Sequence, residues 1–352
     1  MRPHIRHLLI IAVLTLSFDV GNGFAVAGPY EDGQAAFGFG YYASALQLWR
    51  EASEQGNAKA QYRLGLMYKS GIGVARDYKE TAKWYRLAAV QGEADAQYDL
   101  ARMYEAGEGV AKNFNEAVKW YQLAAPQGAA WAQHDLAIMY YYGFGIAQNY
   151  KEAAKWFSPA AAQGHPSAQF YLGKMHKKGH GVARDYIEAA KWYRLAAVQR
   201  NVEAQFILGV MYAEGEGVSQ DYKEAIKWFQ LAAAQGYIPP WTALAQFNLG
   251  MMYAEGEGIP QDYKEAMKWF RLAAAQGHDI AHHSLSLMFG EGKGVVQDFV
   301  RAHMWSNILA ARGDAVAEKR CDAISEHMTA QQIADAKAMA RKCQASNYKQ
   351  CD

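Results

Sequence analysis

An all-α fold, an αα-superhelical solenoid of helix-turn-helix repeats, is predicted by three observations. Gly56, Gly92, Gly128, Gly164 and Gly236 recur on a 36-residue period with Arg200 in the one vacant slot; a single step of 41 residues reaches Gly277, and the period returns at Gly313. Each period holds two stretches with helical apolar spacing. Between them lies a turn rich in glycine. Self-similarity at this length marks units that bury their apolar faces only by stacking on neighbours.

In the first stretch Ala60, Leu64, Met67 and Tyr68 share one face of a helix, repeated as Ala96, Leu100, Met103, Tyr104 and as Ala204, Leu208, Met211, Tyr212. A small residue always stands beside that face: Gly65, Ala101, Ala137, Gly173, Gly209, Gly250 or Ser286. Glycine within a helix costs about 1 kcal/mol against alanine. Its reuse predicts the close approach of another helix backbone. The turn reads GIGV at 71–74 and GKGV at 292–295, where glycine permits left-handed angles.

An Asp or Asn then precedes a Glu by three residues, from Asp77/Glu80 to Asp262/Glu265, which predicts a capping box at each second helix; Asp298 has Arg301 instead. The second stretch carries Tyr222, Ala225, Phe229 and Ala233 on one stripe, with Trp228 beside it. Eight tryptophans occupy this part of a unit and are read as packing: Trp49, Trp84, Trp120, Trp156, Trp192, Trp228, Trp269 and Trp305. Trp131 and Trp241 fall outside the pattern.

Taken in order, residues 1–27 read as a signal peptide, with Arg2 and Arg6, an apolar run over 8–18, and AVA at 25–27 as the cleavage site. That run is too short for a membrane helix, which needs about 20 residues. Residues 28–56 form an N-terminal cap and half-repeat around a GFG turn at 38–40. Seven repeats follow at 57–92, 93–128, 129–164, 165–200, 201–236, 237–277 and 278–313. The sixth carries five extra residues, Tyr237 to Trp241, whose two prolines predict a stiff apolar loop. Residues 314–352 form a C-terminal helical cap and tail. Asp314 starts one helix there, and Thr329 with Gln332 starts another whose Ile333, Ala336, Ala340 and Cys343 share a face.

All three cysteines, Cys321, Cys343 and Cys351, lie in the cap. If the cap helices turn near residue 328, Cys321 lies about 10 Å and Cys343 about 21 Å from the turn, whereas bonded cysteines have Cα atoms within about 7 Å. This favours Cys343 with Cys351 as the disulfide.

The recurring blocks A-Q-Y/F-x-L-G, G-x-G-V, D-Y-x-E-A and K-W-Y/F-x-x-A-A-x-Q-G resemble the Sel-one-like repeat, a relative of the tetratricopeptide repeat, over residues 42–313. The resemblance implies an αα-superhelix that scaffolds or regulates other proteins, of a type that bacteria often export. It implies no enzyme. A repeat framework presents a surface and leaves its ligand open.

Little in the chain points to chemistry. The G-x-G turns lack the further glycine and the Lys-Ser/Thr of phosphate loops. SNYK at 346–349 matches S-x-x-K without its companion blocks. His278, His282, His283 and His303 with Asp279 lack a metalloprotease or Cys-bearing pattern and are read as surface histidines, so no catalytic residue, metal or cofactor is assigned. Lys plus Arg number 36 and Asp plus Glu 35, and removing the leader leaves 34 of each, so no basic face is offered to nucleic acid. The mature protein is expected to be periplasmic or secreted, with no stable membrane span.

The expected function is therefore an exported scaffold that holds another protein's segment. In tetratricopeptide-like solenoids the first helices line the concave side, and the helical wheel places there the solvated charges of repeats one and two: Lys59, Arg63, Lys69, Asp95, Asp99, Arg102 and Glu105. They are followed by Trp131, Ile138 and Tyr141, then Tyr171, Lys174 and Lys177, then Ile207, Val210, Leu244 and Met251. Trp131 and Tyr141 are expected as anchors, with an acidic group of the partner near Lys174. Tyr237 and Trp241 add a loop site. Glycan binding by surface aromatics is the alternative, and a hydrolase of the β-lactamase-like type, suggested by cysteine-rich relatives of the repeat, is a third that this chain departs from by lacking a cysteine pair per repeat.

Overall fold

The computed structural model describes residues 28–236, 240–346, 348 and 351, and among them shows eighteen α-helices and no strand. The leader at 1–27, Tyr237 and Lys349 lie outside the described residues. The chain divides into two bodies, Met1–Gln148 and Asn149–Asp352. The first contains α1 (Pro29–Gly38), α2 (Tyr42–Glu54), α3 (Ala58–Ser70), α4 (Tyr78–Val90), α5 (Ala94–Ala106), α6 (Phe114–Ala124) and α7 (Ala130–Tyr142). In the second, repeat helices alternate as α8 (Tyr150–Ala162), α9 (Pro166–Lys178), α10 (Tyr186–Val198), α11 (Val202–Glu214), α12 (Tyr222–Ala233), α13 (Trp241–Glu255), α14 (Tyr263–Ala274), α15 (Asp279–Glu291) and α16 (Phe299–Ala310). The cap adds α17 (Ala315–Ser325) and α18 (Ala330–Ala345).

The glycine of α3, α11 or α13 meets a ring, whereas a Cβ on Gly173 of α9 would meet both the Tyr193 ring (3.0 Å) and the Ala189 backbone carbonyl (3.2 Å) of the next helix. A Cβ on Gly65 would lie 2.4 Å from the Tyr85 ring, one on Gly209 2.7 Å from Phe229 and one on Gly250 2.5 Å from Phe270. These rings are among the most buried side chains in the protein. The tryptophan before each of them, from Trp84 to Trp269, is only half-buried, so the packing role expected of the tryptophans belongs mainly to the following residue. Trp49 stands in the ring position itself. It is buried against Gly33 of α1, so the N-terminal half-repeat and its cap together make a helix pair with a shorter turn. In the last repeat Ser306 replaces the ring, and Ser286 fills the gap by hydrogen bonding to Ser306 Oγ (2.7 Å) and donating to the Ala302 carbonyl (2.8 Å).

The caps form by half. Asp77 Oδ1 accepts from the amides of Lys79 and Glu80, but the expected return bond from Glu80 is absent among the described contacts. The Asp77 amide is already taken, donating to the Tyr68 carbonyl at 3.0 Å, and its counterparts at Asn113, Asp185, Asp221, Asp262 and Asp298 do likewise. Each Glu turns instead to the Lys one turn on, as in Glu188 and Lys191 at 2.8 Å. Thr329 and Gln332 do make the full reciprocal box.

Two devices join successive repeats. The second glycine of each turn lies on the start of the preceding repeat's second helix: a Cβ on Gly109 would stand 2.1 Å from the Tyr78 carbonyl oxygen. On another side, glutamines form a ladder. Gln97 Nε2 donates to the Ala89 carbonyl (3.0 Å) while its Oε1 accepts from Gln127 (2.8 Å), and Gln205 repeats this with Ala197 and Gln235. Such buried amides contribute about 1 kcal/mol per bond when satisfied and cost more when orphaned. That is the physical content of the A-Q and Q-G blocks.

Arg200 has φ 67°, the left-handed angle that glycine adopts at the other repeat ends. A side chain there costs about 1–2 kcal/mol, part of which glycine's greater unfolded freedom offsets. Arg200→Gly is expected to raise stability by up to about 1 kcal/mol, read as a higher urea midpoint; a lower midpoint would mean that the arginine side chain contributes more than its backbone costs.

At the C-terminal end Cys343 and Cys351 are joined by a disulfide with Cα atoms 4.5 Å apart, and Cys321 is free and buried. The bridge brings Tyr348 back onto His282, ring centroids 5.3 Å apart.

Candidate interaction surface

In the second body the first helices present four stripes, each spaced four, three and four residues and so lying on one helical face. They are Ser167, Tyr171, Lys174, Lys178 on α9; Glu203, Ile207, Val210, Glu214 on α11; Leu244, Asn248, Met251, Glu255 on α13; and Ile280, Ser284, Leu287, Glu291 on α15. Ile207, Val210, Leu244 and Met251 are half-buried, whereas Ile280 is 57 % and Leu287 44 % exposed. Beneath them sit Phe170, Phe206 and Phe247. Phe206 packs on Phe229 and on Trp241, whose ring is 5.5 Å away. Trp241 is thus the first residue of α13 and not part of a loop, because the helix begins at the last residue of the insertion.

The lysines expected to receive an acidic group have partners of their own. Lys174 Nζ lies over the rings of Tyr171 (5.5 Å) and Phe170 (5.9 Å), and its charge acts on Glu203, whose carboxyl is pushed up by burial and partly brought back by Lys174. Lys177 is paired with Glu216 at 2.5 Å. At the far ends of α11 and α13, Glu214 and Glu255 are exposed and have no ion-pair partner among the described residues, while Glu291 holds Lys293 at 2.7 Å. Sequence reasoning reached α13 and missed Ile280, Leu287 and the three glutamates. The same helical wheel, carried one repeat further and one turn along, contains them.

In the first body the corresponding residues divide. Trp131 is 61 % exposed and Ile138 half-buried, but Tyr141 is buried at 6 % and packs edge-on against Tyr142, with ring centroids 4.9 Å apart. Tyr141 belongs to the core because α7 ends in three tyrosines and the neighbouring Tyr142 takes the solvent. The expected solvated charges are partly a network as well: Tyr62 donates to Asp99 (3.1 Å), which also holds Lys69 (3.2 Å), and Tyr98 donates to Asp135 (3.0 Å). Trp131→Ala is expected to change stability by less than about 1 kcal/mol and Tyr141→Ala to cost about 3. Thermal or urea unfolding of the two single variants checks the order; equal costs would return Tyr141 to the surface.

His282 and His303 are buried at 0 % and 1 %, not surface residues as the sequence suggested. His278 caps α15 by accepting from the Ala281 amide and stacks on Phe247, and His283 meets Asp314 at 3.3 Å. Among the described residues no group of three or more metal-ligating side chains converges. Burial pushes the Cys321 thiol up to about 11, so it stays protonated at neutral pH. Ser346 of the S-x-x-K match donates to the Cys343 carbonyl.

The Sel1 repeat model matches residues 30–57, 58–93, 94–128, 132–165, 166–199, 202–237, 243–278 and 279–314, most of the chain. The chain belongs to the Sel1 repeat family. It is 32 % identical to a Sel1 repeat protein of Oxalobacter formigenes, over 70 % of this chain and 97 % of that one, with a TM-score of 0.59. It is also similar to c5321, a protective antigen of uropathogenic Escherichia coli with the same repeat fold, at 27 % identity over 91 % of this chain and 85 % of that one, TM-score 0.47. No curated protein is significantly similar. Sel1 repeat proteins generally scaffold protein interactions, and their solenoid fold is typically non-enzymatic. Among the described residues no helix is long and apolar enough to cross a membrane.

Proposed function

We propose that this protein is an exported, non-catalytic scaffold that holds a segment of another protein against the first-helix face of its second body. One observation carries the reading. Ile207, Val210, Leu244, Met251, Ile280 and Leu287 lie in register on α11, α13 and α15, yet Ile280 and Leu287 are left in water although aromatic rings already fill the core. Aligned apolar side chains with a polar margin are what a partner segment buries. A peptide-display selection on the intact protein tests it: retained peptides should lose binding to an Ile280→Asp, Leu287→Asp variant that melts with the wild type. Peptides indifferent to that change would remove this face from the function.

Export is supported by the basic start, short apolar run and AVA ending of residues 1–27, and by the Cys343–Cys351 disulfide, which suits an oxidising compartment. N-terminal sequencing should begin at Gly28; an intact Met1 chain in the cytosol would refute it. A glycan reading keeps one observation, the exposed rings of Tyr142 and Phe144, stacked at 5.5 Å with Phe114 behind Phe144. A polysaccharide pull-down with Phe144→Ala as control separates it from the scaffold.

A further inference from the structure

We infer that the segment received by α11, α13 and α15 is a cationic amphipathic helix, an inference that rests on the scaffold reading above and names the partner's chemistry. These helices carry a local misfit. α11, α13 and α15 all end in glutamate, Glu214, Glu255 and Glu291. A carboxylate at a helix C-terminus faces the negative end of the macrodipole and destabilises the helix by about 0.3–1 kcal/mol. α9 ends in Lys177 and Lys178, the favourable arrangement, so the repeat does not demand acid at this place. Within the fold, Glu214 and Glu255 gain no ion pair among the described residues that would offset the cost. A rule broken on neighbouring helices without internal compensation points outward, to a ligand's positive charge.

The other charges on this face strengthen the sign. Lys174 acts on Glu203 and Lys177 is bound to Glu216, which leaves Lys178 of α9, outside the three-helix strip, as the unpaired cation of the basic end among the described residues. Lys293 offsets Glu291, which leaves Glu214 and Glu255 as the outstanding charges of α11, α13 and α15, with Glu257 close by beside Tyr222. Each of Glu214, Glu255 and Glu291 stands one helical turn, about 6 Å, from the apolar Val210, Met251 or Leu287. The surface is thus an apolar strip running across three helices with an acidic edge along one side.

Its dimensions suit a helix. Packed helices lie about 10 Å apart, so the strip spans about 20 Å, the length of about 14 helical residues. A helix about 10 Å wide laid across it would put its apolar stripe on Val210, Met251 and Leu287 and bring Lys or Arg from one flank over the glutamates. Charge of this kind sets orientation and partner choice more than total affinity.

The test uses the full-length chain and three labelled peptides of about 14 residues with leucine at i, i+3, i+4 and i+7 and Lys, Gln or Glu at the other positions. Fluorescence anisotropy should rank them Lys, Gln, Glu, with at least about a tenfold gap between the extremes that narrows as salt rises. Glu214→Lys with Glu255→Lys should reverse the order while leaving the melting temperature no lower than that of the wild type, since lysine suits a helix C-terminus better than glutamate. A Gln or Glu peptide that binds tightest, or an order untouched by the charge reversal, would overturn the inference. If the peptides bind equally and Ile280→Asp with Leu287→Asp abolishes all binding, the scaffold reading stands and the cationic partner falls; if no peptide binds, both fall.

Discussion

Gly109→Ala is expected to destabilise the first body by about 3 kcal/mol, whereas Gly92→Ala, at the close of the preceding repeat, should cost about half of that. Both residues have positive φ, 69° and 95°, so both variants meet the left-handed penalty of about 1–2 kcal/mol for an L side chain. The difference lies in what the new methyl meets. At Gly92 there is nothing within 4 Å; at Gly109 the Tyr78 carbonyl oxygen would be 2.1 Å away and its Cβ 2.9 Å away. Neither can retreat easily, because Tyr78 opens α4 and its backbone is held by the Asp77 cap. Chemical unfolding of the two variants side by side isolates the contact between repeats from the backbone angle. Equal losses would mean that the turn glycine serves its own backbone alone and that the repeats are joined by other contacts.

The second large effect is expected with acid. His282 is fully buried between Trp305 and Tyr348; its Nδ1 pairs with the His278 carbonyl and its Nε2 has no partner among the described residues. Burial, only partly opposed by that backbone bond, pushes its pKa from 6.5 down to about 4. Above pH 6.5 the imidazole is neutral whether the chain is folded or not, and the fold loses nothing. Between 6.5 and 4 the unfolded chain takes up a proton that the native one refuses, so stability falls with pH by about 3 kcal/mol over the window. Burial lowers His303 and His278 too, and both act in the same direction. Urea midpoints should therefore drop steeply from pH 7 to pH 4.5, and His282→Phe should flatten much of that slope. A variant as acid-sensitive as the wild type would place the titrating group elsewhere.

How much of this was legible beforehand depended on whether the determining contact was local. Ala60, Leu64 and Met67 announced a buried face by spacing alone, and Arg200 announced a left-handed angle by interrupting a row of glycines. Gly65 was read for the right property and the wrong neighbour: a missing Cβ admits a backbone or a ring equally, and the ring of Tyr85 lies twenty residues on. The return half of the capping box failed because the carbonyl of Tyr68, in the preceding helix, had already taken the cap amide. The glutamine ladder could not be inferred from spacing, since Gln97 and Gln127 lie thirty residues apart and meet only after the two helices of their repeat have packed. Tyr141 was misplaced for a related reason. A helical wheel orders residues around one axis but does not say which of two adjacent tyrosines a neighbouring helix will cover. The acidic edge was visible in the letters as three glutamates at matching positions, and it acquires meaning only beside the apolar strip that the stacking aligns.

On the function proposed, the second body works through the first-helix face of α11, α13 and α15. Hydrogen exchange of the intact protein with and without the leucine–lysine peptide addresses it directly. The amides of α11, α13 and α15 should exchange more slowly in the complex, with α3 and α5 of the first body unchanged. Protection confined to the second helices, α12, α14 and α16, or to the first body, would contradict it.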